Sequence, residues 1–153
     1  MMSNVHNVRA LAGTTLTAFL LAGVVACDGD SKNNEVSPAD LPYSEWTRGD
    51  EVPANGPECF GARGTAADGT KLVAALRLRR NDSGVAGSYT VGTSADAVTS
   101  YAFAGPLRGE TFEVQFKNAG NQLSVRGSIT AAGVELNDPS RSLPLTKLIV
   151  GCA

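Results

Sequence analysis

Few residues in this chain are equipped for catalysis. Its one histidine is His6, and no imidazole follows it. That leaves no donor for a Ser-His-Asp triad, a Cys-His pair or a histidine-ligated zinc site in the rest of the chain. Two-carboxylate chemistry needs acids that face one cleft. Asp68, Asp82, Asp96, Glu110, Glu113, Glu135 and Asp138 fall mostly in turn signals or at outward positions of alternating segments. Asp28-Gly-Asp30-Ser-Lys32 opens like a calcium loop, but Lys32 and Asn33 stand where an EF-hand needs Asp or Asn and then Gly. The cysteines, at positions 27, 59 and 152, are candidates for structure rather than for a thiolate nucleophile. One charge cluster has binding character: Arg77, Arg79 and Arg80. Arg77 and Arg79 share one face of an extended segment, about 7 Å apart. They read either as an anion contact or as a solvated face that protects a sheet edge. The expectation is a protein that is not an enzyme and binds no dissociable cofactor or metal.

The N-terminus states an address. Residues 1–10 carry Arg9 and no acid, and residues 11–26 are uncharged and mostly apolar. That run is short for a membrane-spanning helix, which needs about 20 residues, and it suits the apolar core of a signal peptide. It closes on Val24-Val25-Ala26-Cys27. This tetrapeptide resembles the lipobox of bacterial lipoproteins: an aliphatic residue, a small or aliphatic one, a small one, then Cys. The resemblance implies a signal peptide at 1–26, cleavage before Cys27, and diacylglycerol and an N-acyl chain at Cys27. It implies an exported protein, lipid-anchored to a bacterial membrane on its periplasmic or cell-surface side, with the bilayer as a partner. In that setting the sequon Asn81-Asp82-Ser83 is a turn signal rather than a glycan acceptor.

Beyond Cys27 the composition divides in two. Residues 27–57 hold Pro38, Pro42, Pro53 and Pro57 and no alternation, the pattern of a flexible tether. Up to Glu58 this region carries eight acids against Lys32 and Arg48, whereas Cys59 onward carries seven acids against ten bases. One island, Leu41-Pro42-Tyr43-Ser44-Glu45-Trp46, interrupts the tether and is a candidate to dock on the domain or on a partner. Cys59 and Cys152 lie at the two ends of the domain expected at 58–153. An even pair in an exported chain predicts a disulfide. A bridge closing a loop of about 93 residues would stabilise by roughly 4–5 kcal/mol in chain-entropy terms.

From Cys59 the apolar period becomes two. Leu72, Ala74, Leu76 and Leu78 alternate with Val73, Ala75, Arg77 and Arg79. The same pattern recurs at Val85–Val91, Tyr101–Leu107, Phe112–Phe116 and Leu123–Ile129, with a short strand at Val134–Leu136 and a last one at Ser142–Val150, where Pro144 signals an edge or bulge. Turn signals such as Asn81-Asp82-Ser83-Gly84 and Asn118-Ala119-Gly120-Asn121 separate them. An apolar-x-Gly-x-apolar core repeats around Gly87, Gly105 and Gly127, placing a glycine on the inward face where strands coil or approach closely. The fold class is therefore all-β: a small antiparallel up-and-down β-barrel of seven or eight strands. Leu72, Leu76, Leu78, Phe112, Val114, Phe116, Val125 and Ile129 should be buried, and Arg77, Arg79, Glu113 and Arg126 exposed.

Gly87-Ser88-Tyr89, then Ser100-Tyr101-Ala102-Phe103-Ala104-Gly105 and Phe112-Glu113-Val114-Gln115-Phe116-Lys117-Asn118, resemble the middle strands of avidin-type barrels. Small lipocalin-like lipoproteins share the same plan. Phe112 and Phe116 stand where the avidin family carries tryptophans, and the one Trp, Trp46, precedes the barrel. The likeness thus implies the fold and not the biotin site. Two functions follow as expectations. The first is a non-enzymatic envelope lipoprotein whose barrel binds a protein or envelope polymer, with Arg77, Arg79 and Arg80 as the candidate face. The alternative is a small-ligand carrier using the barrel mouth. No nucleic-acid partner is expected, and the oligomeric state is left open.

Overall fold

This computed structural model describes residues 35–42 and 58–153, all within one compact unit, Asn33–Ala153. Residues 1–34, with Cys27, and residues 43–57, with Tyr43 and Trp46, lie outside the described residues. Eight strands follow in chain order: β1 (Glu58–Thr65), β2 (Lys71–Arg80), β3 (Gly84–Gly92), β4 (Val98–Arg108), β5 (Thr111–Asn118), β6 (Asn121–Thr130), β7 (Gly133–Asn137) and β8 (Lys147–Val150). Each pairs antiparallel with the next, and β8 returns to β1, so the sheet is a closed barrel in sequence order. Apart from one 3-10 turn at Pro38–Asp40, no helix occurs among the described residues.

Local chemistry sets the hairpins. Between β2 and β3 the Asn81 carboxamide oxygen accepts from the Ser83 amide at 2.9 Å and the Gly84 amide at 2.6 Å, closing an Asx turn. Between β5 and β6, Ala119 and Gly120 both take positive φ, 41° and 92°, as the tight hairpin turns that match strand twist require. These turns fix the register. In β5 every second residue is buried: Phe112, Val114 and Phe116 point in while Glu113 and Gln115 point out.

The interior is filled by rings. The Phe103 and Phe116 rings stack at 4.8 Å between centroids, Phe103 and Phe112 at 6.0 Å, and Tyr89 lies 5.7 Å from Phe116. The inward glycines sit where rings and backbones crowd. A Cβ on Gly127 would fall inside the Phe112 ring, which lies flat over that strand, and a Cβ on Gly87 would strike the β2 backbone. Leu76, Leu78, Phe112, Val114, Phe116, Val125 and Ile129 are buried as the alternation requires, and Leu72, near the barrel end, is half-buried.

Two expectations need correction. The last strand is Lys147–Val150 only. Residues 138–146 form a loop, because Asp138 gathers the amides of Ser140, Ser142 and Leu143 and Pro144 has no amide to give a ladder. From this loop Leu143 is buried in the core, and Leu145 packs against it. The second correction concerns the flexible tether expected over 27–57, of which residues 35–42, ending in Leu41 and Pro42 of the docking candidate, are described. They form a strap across the outside of the barrel: Leu41 is 2 % exposed and packs with Val73 and Ala75, on the outward side of β2.

Phe116 sits at the centre of the ring cluster and is fully buried. Truncation to Ala should therefore cost about 3–5 kcal/mol in urea unfolding. A change within about 0.5 kcal/mol, the surface range, would place Phe116 outside the core.

Candidate functional site

The three arginines singled out by the sequence do not form one open face. Period two puts Arg77 and Arg79 on the outward side of β2, and both are half-buried rather than exposed. Arg80 is on the other side of the strand, at the barrel rim, where its Nε donates to Glu58 Oε1 at 2.7 Å. Arg77 is engaged by the strap. Its Nη1 donates to the Leu41 carbonyl at 2.9 Å, and its Nη2 donates to the carbonyls of Ala39 at 2.8 Å and Pro38 at 3.4 Å. These carbonyls belong to the 3-10 turn and its C-cap Leu41, and the guanidinium fork satisfies them together. The strap thus meets the arginine through backbone carbonyls.

Its one acid in the turn, Asp40, is used locally. Asp40 Oδ2 accepts from the Ser37 amide at 3.1 Å while Ser37 Oγ accepts from the Ala39 amide at 3.2 Å, a capping box. Ser37 Oγ also donates to the Cys152 carbonyl at 2.9 Å, and Thr90 Oγ1 donates to the Pro42 carbonyl at 3.2 Å. Cys59 and Cys152 stand at disulfide-bonding distance, Cα to Cα 5.6 Å, so strap, first strand and C-terminus meet at one place. Replacing Arg77 with Met should unseat the strap: hydrogen exchange at residues 39–41 should rise while the barrel strands stay protected. Unchanged exchange at the strap would show that Leu41 burial alone holds it.

The inward-facing polar groups are few. Tyr89 is buried and donates its hydroxyl to the Leu145 carbonyl at 2.9 Å. Burial pushes its phenol far above the ordinary range. Among the described residues no group of three or more His, Cys, Asp or Glu could hold a metal ion, and no helix is long and apolar enough to cross a membrane.

A concave surface lies elsewhere, on the outside of β4–β7. Two rows of side chains cross these strands in register. Arg108, Thr111, Ser128 and Glu135 make one, and Glu113, Arg126 and Asn137 the other. They floor two adjoining hollows, about 390 and 560 Å³, that share Thr111 and Arg126. Arg108 lines the first, and the 138–146 loop walls the second with Arg141 and Thr146. Arg141 has φ 56°, a left-handed conformation that a non-glycine residue adopts only where its surroundings hold it. Asp138 does the holding: one oxygen accepts from the amide and hydroxyl of Ser140, the other from the amides of Ser142 and Leu143 at 2.6 and 2.9 Å.

Burial acts to raise the pKa of Asp138, but these hydrogen bonds, led by the Ser140 hydroxyl, outweigh it and hold the carboxyl below its ordinary 3.8. A depressed folded pKa contributes stability that is complete above the unfolded value and is lost as pH falls through the folded one. Asp138→Asn should therefore lower the urea midpoint at pH 7, and the gap to wild type should narrow below about pH 4. A constant gap across that range would show that the charge of Asp138 contributes nothing.

Sequence reading missed this surface. Arg108, Arg126 and Arg141 belong to three separate segments, and only barrel register brings them to one groove. The alternation did place Arg126 outward, which was the available signal. No protein-family model matches the chain, and comparison with curated proteins and with solved structures gives no match.

Proposed function

We propose that this chain is a non-enzymatic bacterial envelope lipoprotein, exported, anchored to a membrane through acyl chains on Cys27, and binding a protein or envelope polymer with the outside of its barrel. The lipobox-like Val24-Val25-Ala26-Cys27 supports the anchor. The observation that carries the choice of surface is the filled interior. Tyr89, Phe103 and Phe116 are at most 1 % exposed, with ring centroids 4.8 to 5.7 Å apart about Phe116. Eight-stranded barrels have an interior just wide enough for side chains or one small ligand, and aromatic packing of this kind weighs against the small-ligand carrier. Binding then falls to the outer surface, where Arg77 is already engaged by the strap, while Arg80, at the rim, is engaged by Glu58.

The anchor is tested directly. Cys27→Ser should abolish incorporation of a palmitate analogue and shift the protein from the membrane to the soluble fraction of cells. Labelling and fractionation identical to wild type would overturn the lipoprotein reading.

A further inference from the structure

The groove outside β4–β7 has the makings of a specific site, and we propose that it binds a linear polysaccharide bearing carboxylates. The inference deepens the proposed function and rests on its outer-surface reading. Three guanidinium groups succeed one another along the groove: Arg108 in the first hollow, Arg126 shared by both, Arg141 in the second. An arginine fork matches a carboxylate with two parallel hydrogen bonds. Spacing three of them along two connected hollows fits repeated anionic groups on a chain better than one small ligand.

Of the acids in the groove, Asp138 is saturated by its own loop, and Glu135 meets Lys147 only through a loose contact at 3.6 Å between exposed side chains. Glu113 holds Arg126 through one contact at 3.2 Å, with both side chains about two-thirds exposed. Such a pair adds little stability and exchanges readily for another carboxylate.

The uncharged lining is mixed: Thr111, Ser128, Asn137 and Thr146 offer hydroxyl and amide groups that can bond a sugar's hydroxyls, beside apolar surface from Phe112, Leu136 and Leu143. The large exposed apolar side chains among the described residues are Ile149 and Val150, and neither lines the groove. A protein partner would ordinarily anchor on exposed aromatic or aliphatic residues.

The test uses the full chain purified in detergent and probes it with polygalacturonate, dextran and polyglutamate. Polygalacturonate should bind, more weakly as salt rises, and neutral dextran should not. Arg126→Gln should weaken that binding by about tenfold or more, and Arg108→Gln and Arg141→Gln should weaken it in the same direction. Glu113→Gln should tighten it by freeing Arg126, while Arg77→Gln should leave it unchanged. Near-ultraviolet circular dichroism checks that each variant keeps its fold. Binding to dextran as tight as to polygalacturonate, equal binding to polyglutamate, or an Arg126→Gln variant that is folded and binds normally would each overturn the assignment. Cys27→Ser should bind like wild type, so loss of the anchor and loss of this site are read separately.

Discussion

Closure between the first and last strands is the constraint on which this molecule depends. Seven of the eight seams are consecutive hairpin pairings, whose partners are near in sequence. The eighth joins β1 to β8 across the whole domain, and it is thin: β8 is four residues long, and its register contact with β1 is Gly61 opposite Ile149. The Gly151 amide adds a bond to the Cys59 carbonyl at 2.8 Å. Left open, that seam would present two unpaired edges to other chains. The Cys59–Cys152 pair sits beside it, and so does Ser37, which reaches the Cys152 carbonyl. Covalent and strap contacts are thus concentrated where the sheet's own hydrogen bonding is sparsest.

The same place explains why the strap takes the course it does. Gly61 on β1 leaves no side chain outside, and a Cβ there would come within 3.0 Å of Pro38. Pro38 therefore beds on β1, Leu41 covers Val73 and Ala75 on β2, and Pro42 reaches Thr90 on β3. Without that cover, two apolar residues of β2 would face water. Burying one leucine is worth about 1.5–3 kcal/mol, enough to offset ordering a few residues only because Arg77 and Ser37 also satisfy polar groups. Contacts of modest size, on different strands, together fix a segment whose own regular structure is one 3-10 turn.

The sequence showed the barrel well and its surfaces poorly, for a definite reason. Alternation is a local signal: each of Phe112, Val114 and Phe116 declares its face by its neighbours, and the inward glycines 87, 105 and 127 mark where rings and backbones crowd. The strap has no period, and its contacts join residues separated by dozens of positions, such as Ala39 with Arg77 or Ser37 with Cys152. The stretch from Ser142 misled because its apolar residues alternate too. What decided it was a carboxylate, Asp138, that captured amides a strand would have used.

Register also divides the outer surface into two unlike halves. Under the strap on β1–β3 the outward positions include Gly61, Val73, Ala75 and Thr90, small or apolar groups that a peptide can cover, beside Arg77, which the strap's carbonyls engage. On β5–β7 they carry Glu113, Gln115, Arg126, Ser128 and Glu135, which water solvates well. Desolvating such groups is costly unless the partner replaces each lost hydrogen bond. A close apolar contact is therefore unfavourable on this half, whereas a polar, hydrated partner that exchanges one charge-assisted bond for another meets little penalty. The division follows from one-residue alternation carried around a closed sheet. It leaves the half away from the strap as the surface on which recognition can be polar.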